Sequence, residues 1–280
     1  MSFQSVLATG VDYQEYRWGR SRQIFRGPRP DLRMPYVACL GGSETYGRFV
    51  TEPWPAQLDR VVGMSTANWG TPGGGPSFYL KDPVVLEACS NARACVIAVM
   101  AGHVVSNRLY SVYNRRNLRL RGVSDMMRAL YPEVEFDQFR FVHNMLMALY
   151  RISPERFAVV GLEIRSAWIA RMRELLADIE TRKILFWFSD SAPDDPWRMN
   201  PMIARDIAPA FVDRAMIDEI RPHVDIYVEY VASAEAAAGP RIPGRRPPAV
   251  ARRCPSHTMH VEGAELLADP LSRLLGLSLM

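Results

Sequence analysis

The chain has 280 residues, 48% of them hydrophobic, with 34 Lys and Arg against 30 Asp and Glu for a formal net charge of +4. That size can bury a substantial core, while no window approaches the ~20 apolar residues that cross a bilayer, so no membrane span is expected. Lysine occurs only at Lys81 and Lys183, and an arginine bias with so small a net charge gives no basic face on which to rest a nucleic-acid partner.

The N-terminal "MSFQSVLATGVDYQEYRWGR" lacks a basic start followed by a long apolar core, which points to a cytoplasmic protein. Residues 1–34 read as an arm packed on the domain. Cys39, Cys89, Cys95 and Cys254 sit in or beside apolar runs without a CxxC pair, the pattern of reduced core thiols. Apolar runs of strand length follow at Tyr36 to Leu40, Met64 to Trp69, Ala94 to Ala101, Lys183 to Phe188 and Val224 to Val231, with helix-length segments between most of them. This alternation predicts an α/β fold: a three-layer α/β/α sandwich with a mainly parallel five-stranded sheet, as one domain over 1–280.

Residues 103–152 are too long for a simple crossover and predict extra helices after the third strand, as an insertion or lid. A helix is predicted from "SPERF", with Ser153 as N-cap and Pro154 at the first position. Its apolar stripe runs through Phe157, Val160, Ile164, Trp168, Met172, Leu175 and Ile179 and reads as core. "AAAGPRIPGRRPPAVARRCPSH" reads as an irregular loop before a terminal amphipathic helix carrying His257 and His260.

The chemistry centres on "YVACLGGSETYG", residues 36–47, where a buried strand runs into a glycine turn. Ligands of open α/β sheets bind beyond the carboxyl ends of the strands, so Ser43 there is either a helix cap or an exposed nucleophile. "NWGTPGGGP" after the second strand lets backbone approach a ligand closely, and it is neither a phosphate loop nor a dinucleotide fingerprint. Cys254, His257 and His260 form a C-x-x-H-x-x-H pattern without an obvious fourth ligand, so no metal and no cofactor are expected. His143, in "FRFVHNMLMALY", reads as a core histidine, and His223 as a helix-end cap. Arg108, Arg115, Arg116, Arg119 and Arg121 follow the third strand's end as either a solvated helix face or a clamp for an anionic substrate group.

These segments resemble those of the SGNH (GDSL-like) hydrolases, and "FRGPRPDL", "LGGSETYG" and "SNRLYSVYNRRN" resemble more closely a family of uncharacterised bacterial proteins. The SGNH resemblance implies a flavodoxin-like fold and a serine esterase or O-acyltransferase acting on a small-molecule, saccharide or lipid-like ester. It implies Ser43 as nucleophile and His260, in "HVEGAELLA", as base. Ser43 and Gly73 are then backbone donors to an oxyanion, with His103 or Asn107 in place of the usual asparagine; on the clamp reading, Arg108, Arg115 and Arg116 are the substrate contacts. The sequence departs from the pattern at Gly42, Val104 and His257, where the acid before the serine, the oxyanion asparagine and the triad acid are expected; Asp190 is one alternative acid. Those departures keep a second reading open, a catalytically degenerate protein of the same fold that binds a ligand or partner.

Overall fold

Tyr36–Leu40 forms the first strand, β1, and all five of its side chains are buried because it runs inside a sheet covered on both faces. The computed structural model describes residues 11–113, 116–204, 208–241 and 254–277, with backbone alone at 116 and 117. The chain continues through α1 (Ser43–Tyr46), α2 (Trp54–Val62), β2 (Ser65–Asn68), α3 (Pro76–Tyr79), α4 (Pro83–Ser90) and β3 (Ala94–Ala98). A 3-10 turn at Gly102–Val104 leads to the strands β4 (Tyr110–Tyr113) and β5 (Arg116–Val123), then to α5 (Asp125–Leu130), α6 (Val142–Ile152) and α7 (Pro154–Asp178). The remainder is β6 (Lys183–Ser189), α8 (Pro201–Ala204), α9 (Arg214–Ile220), β7 (Ile226–Val231), α10 (Ala234–Ala238) and α11 (His257–Leu275).

The main sheet has five strands in the order β2-β1-β3-β6-β7, and every pairing is parallel. Each of the five expected runs contributes one of these strands. From β1 the chain moves outward to β2 and then crosses back to β3 on the other side. The loops after β1 and β3 therefore diverge, which opens a crevice at that switch point.

Side chains alternate across the sheet. Leu40, Ile97, Leu185 and Trp187 pack with Trp168, Met172 and Leu175 of α7 and Met216 of α9. Cys39, Val96, Ile184 and Phe186 pack on the opposite face with Trp54 and Leu58 of α2 and Leu267 and Leu271 of α11. Helices on both faces complete the three layers. The cap on α7 is as its sequence suggests: Ser153 Oγ accepts the Arg156 N–H at 3.2 Å and Pro154 opens the helix. Ser256 caps α11 in the same way through the Met259 N–H at 3.1 Å.

The segment after β3 departs from a purely helical expectation. Its first part is the antiparallel hairpin β4–β5, and Leu118 and Leu120 alternate with Arg119 and Arg121 along β5. Arg119 and Arg121 therefore belong to a strand and not to a solvated helix face. Leu109, Tyr110, Met127, Met145, Leu146 and Phe157 form a separate small core beneath the hairpin and α6. Arg26, in the segment before β1, is 3% exposed and has no carboxylate partner among the described residues. Its guanidinium donates to the carbonyls of Tyr46 (3.0 Å), Gly47 (2.6 Å), Val50 (2.8 Å) and Thr51. Burial lowers its pKa, as the cost of desolvating a cation requires. Among the described residues no helix is long and apolar enough to cross a membrane, and no group of three or more His, Cys, Asp or Glu could hold a metal ion.

Candidate active site

Loops leaving the carboxyl ends of β1, β2 and β3 converge on a cleft of about 380 Å³, lined by Ser43, Gly73 and His103 among others. Local sequence explains how Ser43 arrives there. Gly41 lets the chain turn directly off β1, because a Cβ at that position would collide with the Thr45 side chain. Gly42 is the N-cap residue of α1 and makes no side-chain cap bond, so Ser43 is the first helical residue. Among the described residues its hydroxyl caps no backbone N–H, and Gly42, not Ser43, holds the N-cap position. Glu44 folds back so that its Oε1 accepts the Gly42 N–H at 2.8 Å. Burial raises the pKa of this carboxyl, and hydrogen bonds from backbone N–H groups partly oppose the rise.

Gly73 brings the second strand's loop alongside, in a left-handed conformation (φ +70°) that favours glycine. A Cβ there would stand only 3.1 Å from Leu118 Cγ, so the hairpin leans directly over this loop. The Tyr79 hydroxyl ties the two loops together. It accepts the Gly41 N–H at 3.2 Å and lies 2.6 Å and 2.9 Å from the carbonyls of Gly41 and Trp69, to one of which its single proton is donated. The Gly74 N–H is used by the Thr71 carbonyl at 2.8 Å. The N–H groups of Ser43 and Gly73 have no partner among the described residues, so two backbone donors remain for a ligand oxygen.

Two imidazoles share the cleft. His103 is 6% exposed, packs 5.2 Å from the Phe211 ring and 6.3 Å from the His143 ring, and has a buried Nδ1 without a partner. Its pKa is pushed down to about 3, first by burial and then by His143. Such a ring is neutral near pH 7, a weak base but an uncharged hydrogen-bonding group. His143, expected in the core, instead lines the cleft from the first turn of α6 and is half-buried. The signal was present in the sequence. Val142, Met145, Leu146 and Leu149 carry the buried stripe of α6, and His143 and Asn144 fall outside it.

The structure places other expected residues away from this cleft. His260 is fully buried, does not line the cleft, and packs with its ring centre 5.1 Å from that of Phe188. Its Nδ1 accepts the Trp54 N–H at 3.0 Å, and burial, followed by Arg26 and His257, pushes its pKa down to about 3. An acceptor Nδ1 in a neutral ring puts the proton on Nε2, and a protonated Nε2 cannot take one from a serine. Asn107 folds into a turn, its Oδ1 accepting the N–H groups of Leu109 (2.9 Å) and Tyr110 (3.0 Å). Arg108 grips Glu163 with Nε at 2.9 Å and Nη2 at 2.5 Å, beside a different surface depression. Arg115 and the side chain of Arg116 lie outside the described residues. Asp190 is exposed and borders a small neighbouring recess, while His223 sits exposed at the end of a 3-10 turn.

A family model described as a domain of unknown function, DUF6473, matches residues 1–275. No curated protein matches the sequence. Among solved structures, a carbohydrate esterase family 2 enzyme with its carbohydrate-binding domain, from Myceliophthora fergusii, aligns with a TM-score of 0.45 at 12% identity, over 89% of this chain and 68% of that one. A catalytic mutant of an acetylxylan esterase from Geobacillus stearothermophilus aligns with a TM-score of 0.42 at 12% identity, over 88% and 96%. A putative lipolytic protein of the G-D-S-L family from Desulfitobacterium hafniense aligns with a TM-score of 0.37 at 14% identity, over 86% and 99%.

Proposed function

We propose that this chain, which belongs to the DUF6473 family, is a serine ester hydrolase or O-acyltransferase whose site is the Ser43 cleft. The observation that carries this reading is the convergence of an uncapped serine hydroxyl, two unused backbone N–H groups and two imidazoles at the sheet's switch point. Those are the parts acyl transfer needs: a nucleophile, oxyanion donors and a proton carrier.

In the proposed mechanism Ser43 Oγ attacks the ester carbonyl as its proton passes to a cleft imidazole. The carbonyl π pair moves to oxygen, where the N–H groups of Ser43 and Gly73 receive the charge. The His103 ring, neutral at working pH, supplies a third donor in the place where a side-chain amide is expected. Collapse of the intermediate expels the alcohol with the imidazole's proton, and water or an acceptor hydroxyl then releases the acyl group by the reverse sequence. We assign the proton transfer to His143. The pairing expected from sequence, Ser43 with His260, would require His260 to give up its bond from the Trp54 N–H and change tautomer.

One observation favours the second reading, a ligand-binding protein of the same fold: Ser43 Oγ is hydrogen-bonded to no imidazole among the described residues. Catalytic hydrogen bonds are often loose before a substrate arrives, so this does not displace the first. A fluorophosphonate probe separates the two, because only an activated serine becomes covalently labelled. Labelling of wild type that is lost in Ser43→Ala supports the hydrolase, and an unlabelled Ser43 supports the binding protein.

A further inference from the structure

Beyond the reacting groups, the wall of the cleft is apolar. Ala101, Val104, Leu118, Phe141, Ala204 and Pro209 line it, and Glu44 is the one charged side chain in the lining among the described residues. Leu118 and Phe141 are 45% and 44% exposed, uncommon for side chains of their size, and both belong to the segment inserted after β3. An antiparallel bridge between Arg119 and Phe141 fixes the two sides of this wall to each other, and Leu118 rests against Gly73, one of the oxyanion donors.

We propose that the cleft selects esters carrying an unbranched aliphatic acyl chain of medium length, with Leu118 and Phe141 as the residues that set the chain preference. This rests on the ester-hydrolase reading of the same site. Three features support it. A volume of about 380 Å³ exceeds what an acetyl group fills. The lining joins a few polar groups, Ser43, Glu44, His103, His143 and Asn144, to a mainly apolar wall, which fits an ester head and a hydrocarbon tail. The lone carboxyl and the lack of Lys or Arg in the described lining disfavour an anionic acyl group. An exposed pair of large apolar side chains at the mouth would be covered once the chain is bound, so each methylene seated there adds a favourable increment.

The experiment compares p-nitrophenyl acetate, butyrate and octanoate on wild type, Leu118→Ala and Phe141→Ser. Both substitutions fall at partly exposed positions and leave Ser43, Gly73, His103 and His143 intact. In wild type kcat/KM is expected to rise about three- to fourfold per methylene from acetate to octanoate. Each variant should lose tenfold or more on octanoate while acetate stays within twofold. Acetate as the best substrate, or an equal loss on all three esters, overturns the inference but leaves the hydrolase reading standing. Should wild type hydrolyse none of the esters, that reading fails, and calorimetric binding of octanoate against acetate decides the inference alone. Octanoate binding that weakens in Leu118→Ala while acetate binding does not upholds it, and octanoate binding no tighter than acetate overturns it.

Discussion

At the scale of single residues, two histidines with equally depressed pKa values have unlike surroundings. His103 lines the cleft with an unpartnered Nδ1, whereas His260 is closed off beneath α2 with its Nδ1 committed to a backbone N–H. A general base works best with a pKa near the operating pH, and rings held near 3 are poor at it. His143, the other imidazole lining the cleft, is the group to which we assign the proton transfer. Replacing it with Gln should lower kcat by ~10²- to 10⁴-fold with little change in KM. Steady-state kinetics of His143→Gln and His260→Gln side by side check this, and a loss confined to the second variant returns the base to His260. How legible these residues were differs for physical reasons. Ser43 and Gly73 could be read because glycines flanking strand ends signal backbone turns. His143 was obscured because one polar residue in an apolar run looks the same whether it faces the core or a cleft, until the helix phase is counted.

At the scale of elements, the segment before β1 and the loop after α1 depend on one guanidinium. Arg26 collects the carbonyls of Tyr46 and Gly47, at the end of the helix that carries Ser43, and of Val50 and Thr51 in the loop beyond. Arg26→Met keeps the bulk and removes every donor, and each buried carbonyl left unpaired costs about 1 to 3 kcal/mol. Urea unfolding should show a loss of about 3 kcal/mol or more, with reduced turnover because the Ser43 turn loosens. A change below ~0.5 kcal/mol would contradict this role. The parallel strands and α7 were readable because buried parallel strands are continuous apolar runs and α7 has a proper cap and stripe. The hairpin was not, since four arginines interrupt "RRNLRLRGV" and an alternation of Leu with Arg over a few residues is a weak period-two signal. Its irregular register, shifted twice between Ser111 and Tyr113, weakens that signal further.

At the scale of the whole molecule, two buried neutral histidines couple folding to pH. In the folded chain His103 and His260 take a proton only near pH 3, while an unfolded histidine does so near ~6.5. Between those values the unfolded state binds more protons, so stability is fully present above about pH 6.5 and falls as the pH drops toward 3. Each histidine adds a slope approaching ~1.4 kcal/mol per pH unit in that window. His260→Leu should flatten the dependence of unfolding free energy on pH between 6 and 4.5, even though it leaves the Trp54 N–H unpaired and lowers stability throughout. An unchanged slope in the variant would show that the folded ring titrates normally.

The central claim is that folding turns Ser43 into a nucleophile at the rim of the parallel sheet, and covalent chemistry examines it most directly. Intact-mass measurement after treatment with a fluorophosphonate, followed by peptide mapping, is expected to show one adduct per chain on the peptide containing Ser43, absent from Ser43→Ala and slowed in His143→Gln. A wild-type chain whose mass is unchanged, or an adduct that maps to any other serine, would contradict it.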